Sequence, residues 1–153
     1  MDVSAVALFC DDIREEKSGA ITLVGIMPDN VEVPSIPGAL PRLAIYVRVH
    51  LKVELPPEPI EFFLTFTDGA QHKITEFSRE LIETTTRDAV RGGNKLAGLF
   101  SNVLVATFPV PVPGRAFVTL KRGGEIEVIG GLNFVTAKRA DNTVEKATTP
   151  SPE

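Results

Sequence analysis

Residues 42–55 carry the clearest alternation in the chain, Arg-Leu-Ala-Ile-Tyr-Val-Arg-Val-His-Leu-Lys-Val-Glu-Leu. Leu43, Ile45, Val47, Val49, Leu51, Val53 and Leu55 fill the odd positions. Arg42, Ala44, Tyr46, Arg48, His50, Lys52 and Glu54 fill the even ones. Successive side chains leave a strand on opposite faces, so this run predicts one long strand with a dry face and a wet face. A helix would scatter the same apolar residues around its circumference. The expectation is a protein built from sheets with one face buried.

The remaining segments fit that reading. Residues 3–10 predict a first strand, apolar on both faces, and 20–27 a second. The acidic stretch from Asp11 to Ser18, closed by Gly19, is expected to connect them as a long hairpin loop. Pro28, Pro34, Pro37 and Pro41 make 28–41 a loop with at most a short edge strand at 31–33, because proline gives no donor to a ladder. After the prolines at 56, 57 and 59, residues 60–67 place Phe62, Leu64 and Phe66 on one face. Asp68-Gly69 is a strong hairpin signal and leads into a strand at 71–77. Residues 78–95 contain helix formers but also Thr84-Thr85-Thr86, and the branched Cβ of threonine favours strand or extended loop. Residues 99–112 alternate with Leu104, Ala106, Phe108, Val110 and Val112 on one face, while Pro109, Pro111 and Pro113 put that half at an edge or bulge. Residues 115–121 and 125–136 form a closing hairpin. In it Ile126, Val128, Leu132 and Phe134 are expected inward, with a bulge at Gly130-Gly131.

Together these elements predict an all-β fold with little helix, an antiparallel β-sandwich of seven to nine strands, with a β-barrel as the alternative. One domain is expected over residues 1–137. The polar stretch 138–153 reads as a flexible C-terminal tail.

Composition adds boundaries. The chain has 153 residues, enough for one domain, and 43% hydrophobic residues, enough for a core without a staple. Its net charge of −4 and dispersed basic residues argue against a nucleic-acid partner. Cys10 is the single cysteine, so no internal disulfide forms. No signal-peptide pattern and no membrane-length apolar run occurs, so no membrane partner and a cytoplasmic location are expected.

Candidate chemistry is sparse. No nucleophile elbow, phosphate loop, dinucleotide fingerprint or Cys-x-x-Cys is present, and no cofactor is implied. Negative neighbours make Cys10 a poor nucleophile. His50 and His72 are expected on strands separated by a hairpin. Asp11, Asp12 and Glu15 are the alternative metal ligands, since loops at one end of a sandwich can offer oxygens to calcium. Arg42, Tyr46, Arg48, His50 and Lys52 form the better candidate, a basic and partly aromatic stripe on a wet strand face suited to an anion or an acidic partner.

Several short motifs carry a resemblance. Phe9-Cys10-Asp11-Asp12-Ile13-Arg14, Leu23-Val24-Gly25-Ile26, Leu40-Pro41 before Leu43-Ala44-Ile45-Tyr46, and Pro113-Gly114 before Phe117-Val118-Thr119-Leu120 resemble a family of small uncharacterised proteins of bacteria and their phages. The resemblance implies an all-β cytoplasmic or phage-associated protein and no site residues. The function expected is a non-catalytic interaction or structural module with a protein partner or self-association, most simply a dimer through the second apolar face of 3–10. A small-ligand or metal-binding sandwich protein is the alternative, and an enzyme the least favoured.

Overall fold

A computed structural model describes residues 2–137, and the expected tail at 138–153 lies outside the described residues. The elements follow in the order β1 Val3–Glu15, β2 Ile21–Ile26, β3 Asn30–Val33, β4 Gly38–Lys52, β5 Ile60–Thr65, β6 Gln71–Phe77, α1 Arg79–Arg91, β7 Leu96–Val110, β8 Gly114–Arg122 and β9 Glu125–Thr136. They build two sheets, a four-stranded one in the order β2-β1-β4-β7 and a five-stranded one in the order β3-β9-β8-β5-β6. Among the described residues only β3 and β9 pair in parallel. The fold is the expected all-β sandwich, and neither sheet closes into a barrel.

The core lies between the sheets, where the long alternating strand leads. Leu43, Ile45, Val47 and Val49 of β4 are fully buried, and Leu51 is 1% exposed. Phe62 and Leu64 of β5, with Phe66 just beyond it, meet them from the other sheet and are also buried. The sheets come close together where β9 passes β1. A Cβ on Gly130 would lie 2.5 Å from the carbonyl oxygen of Ala7, so only glycine fits there.

Four expectations need correction. The acidic stretch is largely strand: β1 runs on to Glu15, which pairs with Ile21, and the turn is confined to the residues between them. Strands alternating up and down along the predicted order would put the 11–19 and 56–59 turns at one end of the sandwich. They lie at opposite ends, because β4 runs antiparallel to β1 and finishes beside its start, with Leu51 opposite Val3. The missing reversal is β3, which carries the chain across to the other sheet.

Residues 79–91 are helical. The Ser78 hydroxyl accepts from the Leu81 amide at 3.2 Å and caps the N-terminus. The Thr85 and Thr86 hydroxyls donate to the carbonyls of Leu81 and Ile82, so two of the three threonines satisfy their polar groups inside the helix. Ile82 is buried and Ala89 packs on the core. Tertiary burial thus overrides the strand preference of threonine. The helix carries the chain from β6, an edge of one sheet, to β7, an edge of the other.

The last correction concerns which side chains face inward. Leu40 and Leu43 are both buried, with exposed Pro41 and Arg42 between them. Opposite, Thr107 has φ 58. Both strands change face at this point and keep their pairing, Leu40 with Phe108 and Leu43 with Val105. Phe108 and Val110 are buried as expected, but Leu104 and Ala106 are exposed. In β9, Val118 pairs with Gly130 and Thr119 with Val128, so Ile129 is an extra residue beside the expected Gly130 bulge. Leu132 and Phe134 point inward, whereas Ile126 and Val128 are 68% and 58% exposed.

Candidate functional site

The outer face of the four-stranded sheet collects the residues of the predicted stripe. The register sets its side chains in rows across the strands. Val6, Arg48 and Phe100 form one row, and Leu8, Tyr46 and Asn102 the next. A third holds Ile26, Cys10, Ala44 and Leu104. Ser4, His50 and Gly98 flank the first row.

Arg42, Tyr46, Arg48, His50 and Lys52 all leave β4 on this side, but their charges are not equivalent. Arg42 Nη2 lies 2.5 Å from Asp12 Oδ1, and Arg14 Nε lies 3.3 Å from Asp12 Oδ2. Partial desolvation opposes ionisation of Asp12, but the hydrogen bond from Arg14 and the charge of Arg42 outweigh it and hold the carboxyl below the usual carboxylate range. Lys52 Nζ lies 3.2 Å from Asp2 Oδ1. His50 is half-buried against Gly98. Arg48 is exposed and has no ion-pair partner among the described residues. Tyr46 stacks beside it on Phe100, with centroids 6.3 Å apart and planes inclined by 27°.

Exposed apolar side chains flank Arg48 within its row, and others lie two rows along the same face, with Tyr46 and Asn102 between. Val6, Ile26, Phe100 and Leu104 are 40%, 59%, 52% and 55% exposed. The Pro-rich segment does not cover them: its strand β3 joins the other sheet, and Val31 and Ile36 pack against the core. Phe100 and Leu104 were missed from sequence because the alternation was carried backwards from Phe108 through the break at Thr107. Counting from Leu99, Val103 and Val105 as the inward set would have placed both outside.

The alternative ligands are not brought together. Asp11 and Asp12 leave β1 on opposite faces, Asp11 lies over Gly25, and Asp12 is taken by two arginines. Among the described residues no three His, Cys, Asp or Glu side chains converge as a metal would require. His50 and His72 lie on different sheets. Cys10 is fully buried near the middle of the outer face, and burial, with Asp11 and Asp12 adding, pushes its thiol up, away from an activated thiolate.

One apolar cleft of about 260 Å³ opens between β6 and β7, lined by Leu64, Phe66, Ile74, Val103, Val105 and Phe108. Lys73 at its rim donates to Glu61 at 2.8 Å and also to Glu76, and the bond to Glu61 chiefly raises its pKa. No helix among the described residues is long and apolar enough to cross a membrane.

The sequence model of a family of unknown function, DUF6941, matches residues 5–91. That span is more than half of the chain, and the protein belongs to this family. It runs from β1 through α1, so Val6, Tyr46 and Arg48 fall inside it and Phe100 and Leu104 beyond it. No curated protein matches the chain.

Proposed function

We propose that this member of the DUF6941 family is a non-catalytic interaction module that docks a protein partner on the outer face of its four-stranded sheet. The observation that carries the reading is Arg48, an exposed guanidinium with no ion-pair partner among the described residues, set in one row between Val6 and Phe100. Isolated exposed apolar residues are ordinary, but Val6 and Phe100 flanking one guanidinium, with Ile26 and Leu104 further along the same face, have the composition of an interface. Arginine beside aromatic side chains is also the combination enriched where interfaces gain most of their energy. The partner that fits is an apolar protein surface presenting a carboxylate to Arg48. The setting we propose is the bacterium or phage that the sequence resemblance implies.

A small apolar ligand in the β6–β7 cleft is the second reading. Its volume of about 260 Å³ falls below the ~300–1,000 Å³ usual for ligand pockets, so it ranks behind docking.

Site-specific photo-crosslinking in the native host tests the first reading. A photoreactive residue replacing Val6 is compared with one replacing Ile126, which is also exposed but belongs to the other sheet. The expected result is a protein adduct formed from position 6 and not from 126, whose pure partner binds the pure chain. Adducts identical at both positions would contradict the proposal.

A further inference from the structure

We infer that β7 pairs with β7 of a second copy of this chain, antiparallel about a two-fold axis at Phe100, so that two four-stranded sheets join into one continuous sheet. β7 is the outer strand of its sheet, and among the described residues its main chain bonds only to β4. An unpaired row of amides and carbonyls is a template for another strand, and proteins usually blunt it with short length, charge or proline.

The other edge strands carry such protection, and the stretch of β1 that runs past β2, residues 3–8, is less than half the length of β7. β2 has 6 residues, β3 has 4, and β6 places Lys73 and Glu76 along its 7. β7 has 15 residues, Leu-Ala-Gly-Leu-Phe-Ser-Asn-Val-Leu-Val-Ala-Thr-Phe-Pro-Val, with no charged side chain and no proline before Pro109. A charge-free strand meets no like charge in its own copy, which favours self-pairing over a charged peptide.

The spacing of the outer side chains is self-complementary. With Phe100 opposite Phe100 of the second copy, Leu96 falls opposite Leu104, Gly98 opposite Asn102, and Ala97 opposite Val103. Leu96, Phe100 and Leu104 are each more than half exposed in the single chain, and this register covers all of them at once. Pairing residues 96–104 would form about eight to ten main-chain hydrogen bonds, since each hydrogen-bonded pair of an antiparallel ladder contributes two. That number matches a typical protein interface, which carries about ten. The two Arg48 side chains would be separated by both β7 strands, roughly 14 Å apart, beyond the screening length of ~8 Å at physiological salt. The joined sheet would also extend the docking face, but the pairing stands on the edge alone and does not depend on a partner.

The test is the solution mass of the full chain by light scattering at micromolar concentration. The expected mass is twice the 16.5 kDa of the single chain. Phe100→Lys and Phe100→Glu each set like charges against each other across the axis and should run as monomers, whereas their equimolar mixture should return to the dimer. Phe100→Cys should oxidise to a covalent dimer while Leu104→Cys alone does not, a readout independent of how the charged variants fold. A wild-type monomer, a dimer that survives Phe100→Lys, or a mixture that stays monomeric would overturn the inference. None of these results bears on the adduct from position 6, so docking and pairing fail separately.

Discussion

The ring of Tyr46 lies 6.3 Å from that of Phe100, on the solvent side of the four-stranded sheet. Such a pair contributes about 0.5–1.5 kcal/mol beyond its buried area. Here it links adjacent strands across the exposed face beside Arg48. The apolar residues that anchor the core are on the opposite face of the same strands, one position away.

That one-position difference sets the first prediction. Val49→Asp should abolish or severely destabilise the fold, because Val49 is fully buried and an unpaired carboxylate there costs several kcal/mol of a total near ~5–15. His50→Asp should melt within a few degrees of wild type. Thermal melts followed by circular dichroism decide, and equal losses would contradict the register of β4.

The helix supplies the second. Ile82→Ala removes a side chain that is 1% exposed and should cost about 2–4 kcal/mol, while Val90→Ala, at 56%, should change stability by less than about 0.5. Urea unfolding measures both. Equal small effects would show that α1 does not pack as described.

Asp12 makes acid stability testable. Its folded-state pKa lies below the unfolded value, so its contribution is present above about pH 4 and is lost as pH falls through the lower folded value. Asp12→Asn removes the titrating group and should melt lower than wild type at pH 7, with a shallower fall in Tm below pH 4. An unchanged acid slope would mean that the Arg14 and Arg42 contacts do not hold the carboxylate in solution.

How far these features were legible in the sequence depended on local regularity. From Leu43 to Leu51 nothing interrupts the period of two, and both the buried set and the exposed stripe followed from it. Phe62, Leu64 and Phe66 were equally plain. The reading failed where one residue reset the period: Thr107 turned Leu104 and Ala106 outward, and the extra Ile129 did the same for Val128 and Ile126. A one-residue slip moves a whole set to the other face, and neither residue type announces it. The helix was hidden because Thr84, Thr85 and Thr86 disfavour it locally, while the burial of Ile82 that decides it is tertiary. The Asp12–Arg42 contact joins residues far apart in sequence and had no local signal. That Arg48, unlike Arg42 and Lys52, has no ion-pair partner among the described residues emerged only from the structure.

Gly130 gives a prediction from close approach. Gly130→Ala should destabilise by about 1–3 kcal/mol, because the added carbon meets the Ala7 carbonyl and that main-chain atom has no rotamer by which to yield. Gly124→Ala, which meets nothing within 4 Å, should be close to neutral. Chemical denaturation of both variants measures the difference, and a neutral Gly130→Ala would mean that the sheets are less closely apposed.

The role of the outer face is tested most directly by titrating the pure partner captured from position 6 into wild type, Arg48→Glu and Lys121→Glu. Lys121 is exposed on β8, in the other sheet. Docking through Arg48 predicts that Arg48→Glu weakens binding tenfold or more and that Lys121→Glu stays within twofold of wild type. Binding unchanged by Arg48→Glu would contradict it.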